Sequence, residues 1–157
     1  MSDLPRVNLR DAVPEYDDTD PEGYRSAGVR LGPTLGATQL GASIYELPPG
    51  QSICPYHYEY PDEEWLVILK GRVTVRHPTG EAELGEGDLV CFPQGPDGAH
   101  KVTCLGDETA RVMMLSTKLR PGIAVYPDSG KVGIWPGEES DTLMMRRDKL
   151  DYWDGEA

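Results

Sequence analysis

The stretch Gly50-Gln-Ser-Ile-Cys-Pro-Tyr-His57-Tyr-Glu59-Tyr-Pro-Asp-Glu-Glu64-Trp-Leu-Val-Ile-Leu-Lys-Gly71 decides how the chain is read. Two short segments rich in aromatic and branched residues, Ile53–Tyr60 and Trp65–Leu69, flank a Pro61-Asp62 turn and stop at Lys70-Gly71, which is strand punctuation. Alternate residues of a strand share a face, so His57 and Glu59 point together while Tyr56, Tyr58 and Tyr60 point the other way as sheet-packing residues. On the next strand Glu64, Leu66 and Ile68 share one face. If these two strands pair, Glu64 converges on His57 and Glu59. Farther along, His100, Val102 and Cys104 share a face, which makes His100 a fourth candidate. Two imidazoles and two carboxylates on the inner wall of a small barrel would form a pocket for a divalent first-row metal.

The same punctuation continues outward. Apolar segments at Ser43–Leu47, Val73–Arg76, Glu81–Leu84, Leu89–Phe92, His100–Leu105 and Arg111–Thr117 alternate with turns such as His77-Pro78-Thr79-Gly80 and Gly106-Asp107. Strands this short and closely spaced, with no helical pattern between them, predict an all-β fold paired antiparallel as a sandwich or small barrel. The 157 residues suffice for one domain, and 18 Gly and 14 Pro argue against a helical bundle. Before Gly36 the chain is polar and rich in Pro, Gly and Asp, and reads as an acidic arm over residues 1–36 that either wraps the domain or stays loose. After residue 135 comes a charged C-terminal extension, 136–157, in which Leu143–Trp153 is expected to form a short helix or a docking segment.

The net charge of −12 excludes a protein that grips nucleic acid or an anionic leaflet through a basic patch. Most of the excess lies at the ends, with seven acids against two bases in residues 1–22 and seven against three in residues 138–157. Cys54, Cys91 and Cys104 form no C-x-x-C pair, so reduced, mostly buried thiols are expected. The start Met-Ser-Asp-Leu-Pro-Arg lacks a basic, then apolar, leader pattern, and no apolar run is long enough to span a membrane. A cytoplasmic address is therefore expected.

These motifs resemble those of the cupins, small jelly-roll β-barrels with a first motif G-(x)5-H-x-H-(x)3,4-E-(x)6-G and a second G-(x)5-P-x-G-(x)2-H-(x)3-N. Glu64 and Gly71 are separated by the motif's six residues, which sets Glu64 at the family's metal-binding glutamate. His57 stands at the first histidine, and Glu59 stands where the family has its second. Gly50 precedes His57 by one residue more than the pattern asks. In the second motif Gly87, Pro93 and Gly95 match. His100 takes the last histidine after a two-residue insertion, and Cys104 replaces Asn. The resemblance spans about residues 40–118. Pro55-Tyr-His-Tyr, Phe92-Pro-Gln-Gly-Pro-Asp-Gly-Ala-His100 and Tyr126-Pro-Asp-Ser-Gly-Lys131 bring it nearest to small, mostly bacterial cupins of unassigned activity.

The resemblance implies a jelly-roll barrel over residues 37–135, with a metal held by His57, Glu59, Glu64 and His100. It also implies a small-molecule ligand or substrate and a homodimer paired through sheet edges. Two His and two Glu would bring a divalent cation to zero net charge and add a hard oxygen ligand, favouring Fe, Mn, Ni or Zn over Cu(I). Two functions stay open. One is a metalloenzyme, an oxygenase, decarboxylase or isomerase, with Glu59 as base if it is not a ligand. The other is a non-catalytic cupin that binds a small molecule without metal.

Overall fold

The computed structural model describes residues 4–137 and 142–146. It is an all-β molecule with one four-residue helix, α1 (Gly32–Leu35), and a 3-10 turn at Pro96–Gly98. One sheet has six strands in the order β1 (Glu15–Tyr16), β2 (Ala27–Arg30), β3 (Leu40–Leu47), β10 (Ala110–Thr117), β5 (Glu64–Lys70) and β8 (Leu89–Phe92). A second runs β13 (Leu143–Arg146), β12 (Lys131–Trp135), β11 (Gly122–Tyr126), β4 (Tyr58–Tyr60), and a third runs β7 (Gly80–Gly85), β6 (Arg72–His77), β9 (Lys101–Cys104). Every strand pairing among the described residues is antiparallel. The ladders do not close on themselves. Isolated bridges, Ser52 with Thr103 and His57 with His100, link the segment before β4 to β9 and its approach.

The alternation read from the sequence sets the core. Leu66 and Ile68 of β5, Val73 and Val75 of β6, Val102 and Cys104 of β9 and Val112 of β10 are buried together with Leu47, Phe92 and Ala110. Each large aliphatic side chain so buried contributes about 1.5–3 kcal/mol of transfer free energy. Gly71 turns β5 into β6 at a φ of 79°, and a Cβ there would stand 3.0 Å from the Cα of Ala110. Only glycine meets both demands.

Several expectations are corrected or made specific. Ile53–Tyr60 is not one strand, because only Tyr58–Tyr60 is extended in a ladder and the residues before it follow turns and bridges. That short strand pairs with β11 rather than β5, which instead lies between β10 and β8. Ala27–Arg30, within the segment read as an arm, adds to the large sheet beside β3, and the carbonyls of Leu9 and Ala12 accept hydrogen bonds from Arg111 on β10. Cys104 is buried as expected, whereas Cys91 is exposed on β8. Leu143–Arg146 forms a strand against β12, and the rest of Leu143–Trp153 lies outside the described residues.

Candidate metal centre

His57 and His100 face each other across one antiparallel bridge. The His57 N–H donates to the His100 carbonyl at 3.1 Å, and the His100 N–H donates back at 2.8 Å. Gly98 makes the approach to His100 possible, since a Cβ there would fall 1.7 Å from the Pro93 carbonyl oxygen. The rings lie 4.8 Å apart, with Phe92 stacked on His100 at 3.7 Å and Tyr126 on His57 at 5.7 Å. Glu64, the first residue of β5, enters between them from the large sheet, where it sits opposite Ser116 on one side and Phe92 on the other.

Backbone carbonyls fix both imidazoles. Nδ1 of His57 lies 3.0 Å from the Pro55 carbonyl, and Nδ1 of His100 lies 2.9 Å from that of Gly98. A carbonyl only accepts, so each Nδ1 carries the proton and each Nε2 turns a lone pair inward. Nε2 of His100 is 3.4 Å from Oε2 of Glu64. Nε2 of His57 is 3.8 Å from the same oxygen and 3.8 Å from Oε1 of Glu59. Three donors, one each from His57, Glu64 and His100, lie within 4.8 Å of one another. Glu59 reaches His57 alone among these three through an ion-pair distance.

Burial acts on every group here. It lowers His57, and with His57 beside it, His100 falls to about 4. It raises Glu64, helped by the charges of Glu59 and Asp62, and raises Glu59, helped by Asp62. Burial also keeps the Cys54 thiol protonated 3.5 Å from Nδ1 of His57, and the phenol of Tyr126 is pushed up to about 12. Neutral imidazoles beside carboxyls that resist ionisation leave the cluster with no cation of its own.

The donor set fits a divalent metal. Oε2 of Glu64 and Nε2 of His100 are buried with no hydrogen-bond partner, an expensive state for two polar atoms. A first-row cation with bonds of about 2.0–2.2 Å places neighbouring donors roughly 3 to 3.5 Å apart, close to the separation of this pair. Nitrogen and hard oxygen together suit Fe, Mn, Ni or Zn. Outside the cluster, a cavity of about 260 Å³ is bordered by Glu59, Asp62, Ser116, Lys118, Arg120 and Trp135. Asp62 has a structural task there, since Thr117 Oγ1 and the Leu119 N–H each donate to it at 2.8 Å.

All four residues singled out in the sequence thus sit in one region, three in a tight cluster and Glu59 between it and the cavity. Sequence reading missed Cys54, Tyr126 and Ser116. Ser116 alone carried a usable signal, because it keeps the parity of the buried Val112 on β10.

Set beside known proteins, residues 43–116 match the family model described as Cupin domain. No curated protein matches the chain. A solved structure from Acidithiobacillus ferrooxidans, named as a candidate sugar phosphate isomerase, superposes with a TM-score of 0.80 at 20% identity, covering 94% of this chain and 98% of that one. A sugar phosphate isomerase of the cupin superfamily from Silicibacter pomeroyi gives 0.78 at 22%, covering 91% and 93%. The polyketide cyclase RemF from Streptomyces resistomycificus gives 0.59 at 22%, covering 71% and 78%. At these identities the likeness is one of fold.

Proposed function

Residues 43–116 carry a cupin domain, and from that premise we propose that the chain is a metal-dependent cupin catalysing proton transfer on a small organic molecule. His57, Glu64 and His100 hold a divalent transition metal inside a jelly-roll barrel spanning residues 37–135, with 1–36 and 136–157 as extensions. The reading includes a cytoplasmic homodimer, for which sedimentation of the full chain is the direct test. One observation carries the proposal: Nε2 of His100 and Oε2 of Glu64 are buried 3.4 Å apart, and neither has a hydrogen-bond partner.

The metal, when bound, supplies Lewis-acid polarisation of a carbonyl or enolate oxygen. The chain does the rest. Pro55 and Gly98 hold the imidazoles in the ligating tautomer, and Phe92 and Tyr126 keep water from the ring faces. Glu59 borders the cavity and is raised by burial and by Asp62. A carboxylate with its pKa moved toward neutrality is suited to take a proton from substrate and return it. Isomerase chemistry needs no more than that, and the names of the Acidithiobacillus and Silicibacter structures agree with it.

Metal content of protein purified without tag or chelator, beside the His57→Ala, His100→Ala double variant, tests the proposal. About one equivalent of a single transition metal in the wild type, absent from the variant, is the expected result. A wild-type protein that is empty and cannot be reloaded would overturn it.

A further inference from the structure

A second cavity, of about 230 Å³, adjoins the first and has a different character. Its lining includes Arg30, Gly41, Ser43, Ser116 and Lys118, and no carboxylate. In a chain with 27 acids against 15 bases, a hollow whose charged side chains are one guanidinium and one ammonium is unusual chemistry. Neither cation has an ion-pair partner among the described residues. Arg30 also borders a separate cavity containing Glu15, Asp17 and Asp20, yet pairs with none of them.

The strand register connects this hollow to the metal centre. Arg30 on β2 is opposite Ser43 on β3, and Ser43 is opposite Met114 on β10. One pleat nearer the rim, Gly41, Ser116 and Glu64 form a cross-strand row, so Ser116 stands directly between the hollow and the Glu64 carboxylate. Ser116 and Lys118 border both cavities, and the first one ends at Glu59. Gly41 keeps the floor open. A Cβ there would stand 2.9 Å from Oγ of Ser116 and 3.7 Å from the Lys118 stem. Its backbone has no left-handed φ to demand glycine, so the space itself is what the missing side chain provides.

We propose that Arg30 and Lys118, with the hydroxyls of Ser43 and Ser116, form an oxyanion subsite that takes the phosphate group of a small phosphorylated substrate whose reacting carbon lies at the Glu59 end. Two cations and two hydroxyls match a dianion with three acceptor oxygens. A carboxylate would leave donors unused. The inference rests on the metal-centre reading for the direction of the substrate, but the subsite itself does not need the metal.

Calorimetric titration of the metal-free full chain with inorganic phosphate, and then with glycerol phosphate, tests it. Saturable one-to-one binding is expected, weakened roughly tenfold or more in Arg30→Gln and in Lys118→Gln, as loss of one charge-assisted hydrogen bond implies. Both residues are exposed, so neither substitution threatens the fold. Arg72→Gln, on the distant β6, should bind as wild type does. The His57→Ala, His100→Ala variant should also bind phosphate normally. That holds even if the wild type proves metal-free, which separates failure of this subsite from failure of the metal reading. Wild-type affinity in both cation variants, or loss of binding with the histidines, would overturn the subsite. Binding of inorganic phosphate with refusal of glycerol phosphate would overturn its assignment to substrate.

Discussion

The two ends of the same three strands do opposite work. At one end Leu47 and Ala110, then Tyr45, Val112 and Ile68, form inward rows that are almost wholly apolar. At the other, the row is Gly41, Ser116 and Glu64, with Arg30 and Ser43 one step away. Neither pleat nor pairing changes between them, and on β5 the distance from Ile68 to Glu64 is four residues, about 13 Å. The packed core and the candidate site are thus separated along the strands rather than assigned to different elements. The apolar end holds the backbone to which the polar end owes its geometry.

The largest break in this contrast comes from a pair of substitutions on β5. Ile68→Ala should lower unfolding free energy by about 2–5 kcal/mol, because it opens a cavity in the packed core. Glu64→Leu, two pleats away, should leave the metal-free protein as stable as before or more so, since it removes a buried carboxyl oxygen without a partner. Denaturant midpoints on both variants check this. Loss of stability in Glu64→Leu comparable to that in Ile68→Ala would mean that the polar end is part of the core.

A pH series sharpens the contrast more gently. His57 lies below its usual 6.5 and His100 falls to about 4, so their contribution to stability is complete above 6.5 and is lost as pH falls below it. Glu59 and Glu64 are raised, so their contribution is present below the ordinary carboxylate range and is lost as pH rises through their folded values. Above about pH 6.5 the imidazoles are neutral in both states, and only the carboxyls act. The metal-free protein should therefore lose stability between about pH 6.5 and 8, and metal should remove the loss. A flat thermal midpoint across that window without metal would mean the carboxyls are not buried in solution as they are here.

The contrast also explains what could be read in advance. Strands from β5 to β10 were legible because each is bounded by Gly, Pro or Asp, and alternation gave their inward faces. The candidate site residues were legible because His57 and Glu59 share parity, while Glu64 and His100 stand at or just before the start of a strand. Partner choice was not. The pairing of β4 with β11 joins residues more than sixty positions apart, and no local signal marks it. Ala27-Gly-Val-Arg carries one branched residue, too weak a pattern to announce β2 beside β3. The convergence of Arg30, Ser116 and Lys118 depends on that strand, so it was hidden with it. The carbonyls of Pro55 and Gly98 that set the imidazole tautomers are backbone atoms, which side-chain patterns do not reveal.

The smallest expected effect concerns Glu59, which belongs to neither row. Its Oε1 is 3.8 Å from His57 Nε2, yet the residue also borders the cavity, whereas Oε2 of Glu64 faces both histidines. If Glu64 is the ligand and Glu59 the base, Glu64→Gln should weaken Mn(II) binding by roughly a hundredfold or more. Glu59→Gln, which keeps an oxygen in the same position, should weaken it by less than about tenfold, the lower end of what outer hydrogen-bonding partners cost. Equal losses would make both carboxylates ligands and return the centre to zero net charge. The unequal result leaves two imidazoles and one carboxylate around a divalent ion, a net charge of +1, and a centre still able to attract an anionic oxygen of substrate. It would also keep a carboxylate at the cavity wall that is free to accept the proton such an oxygen makes labile.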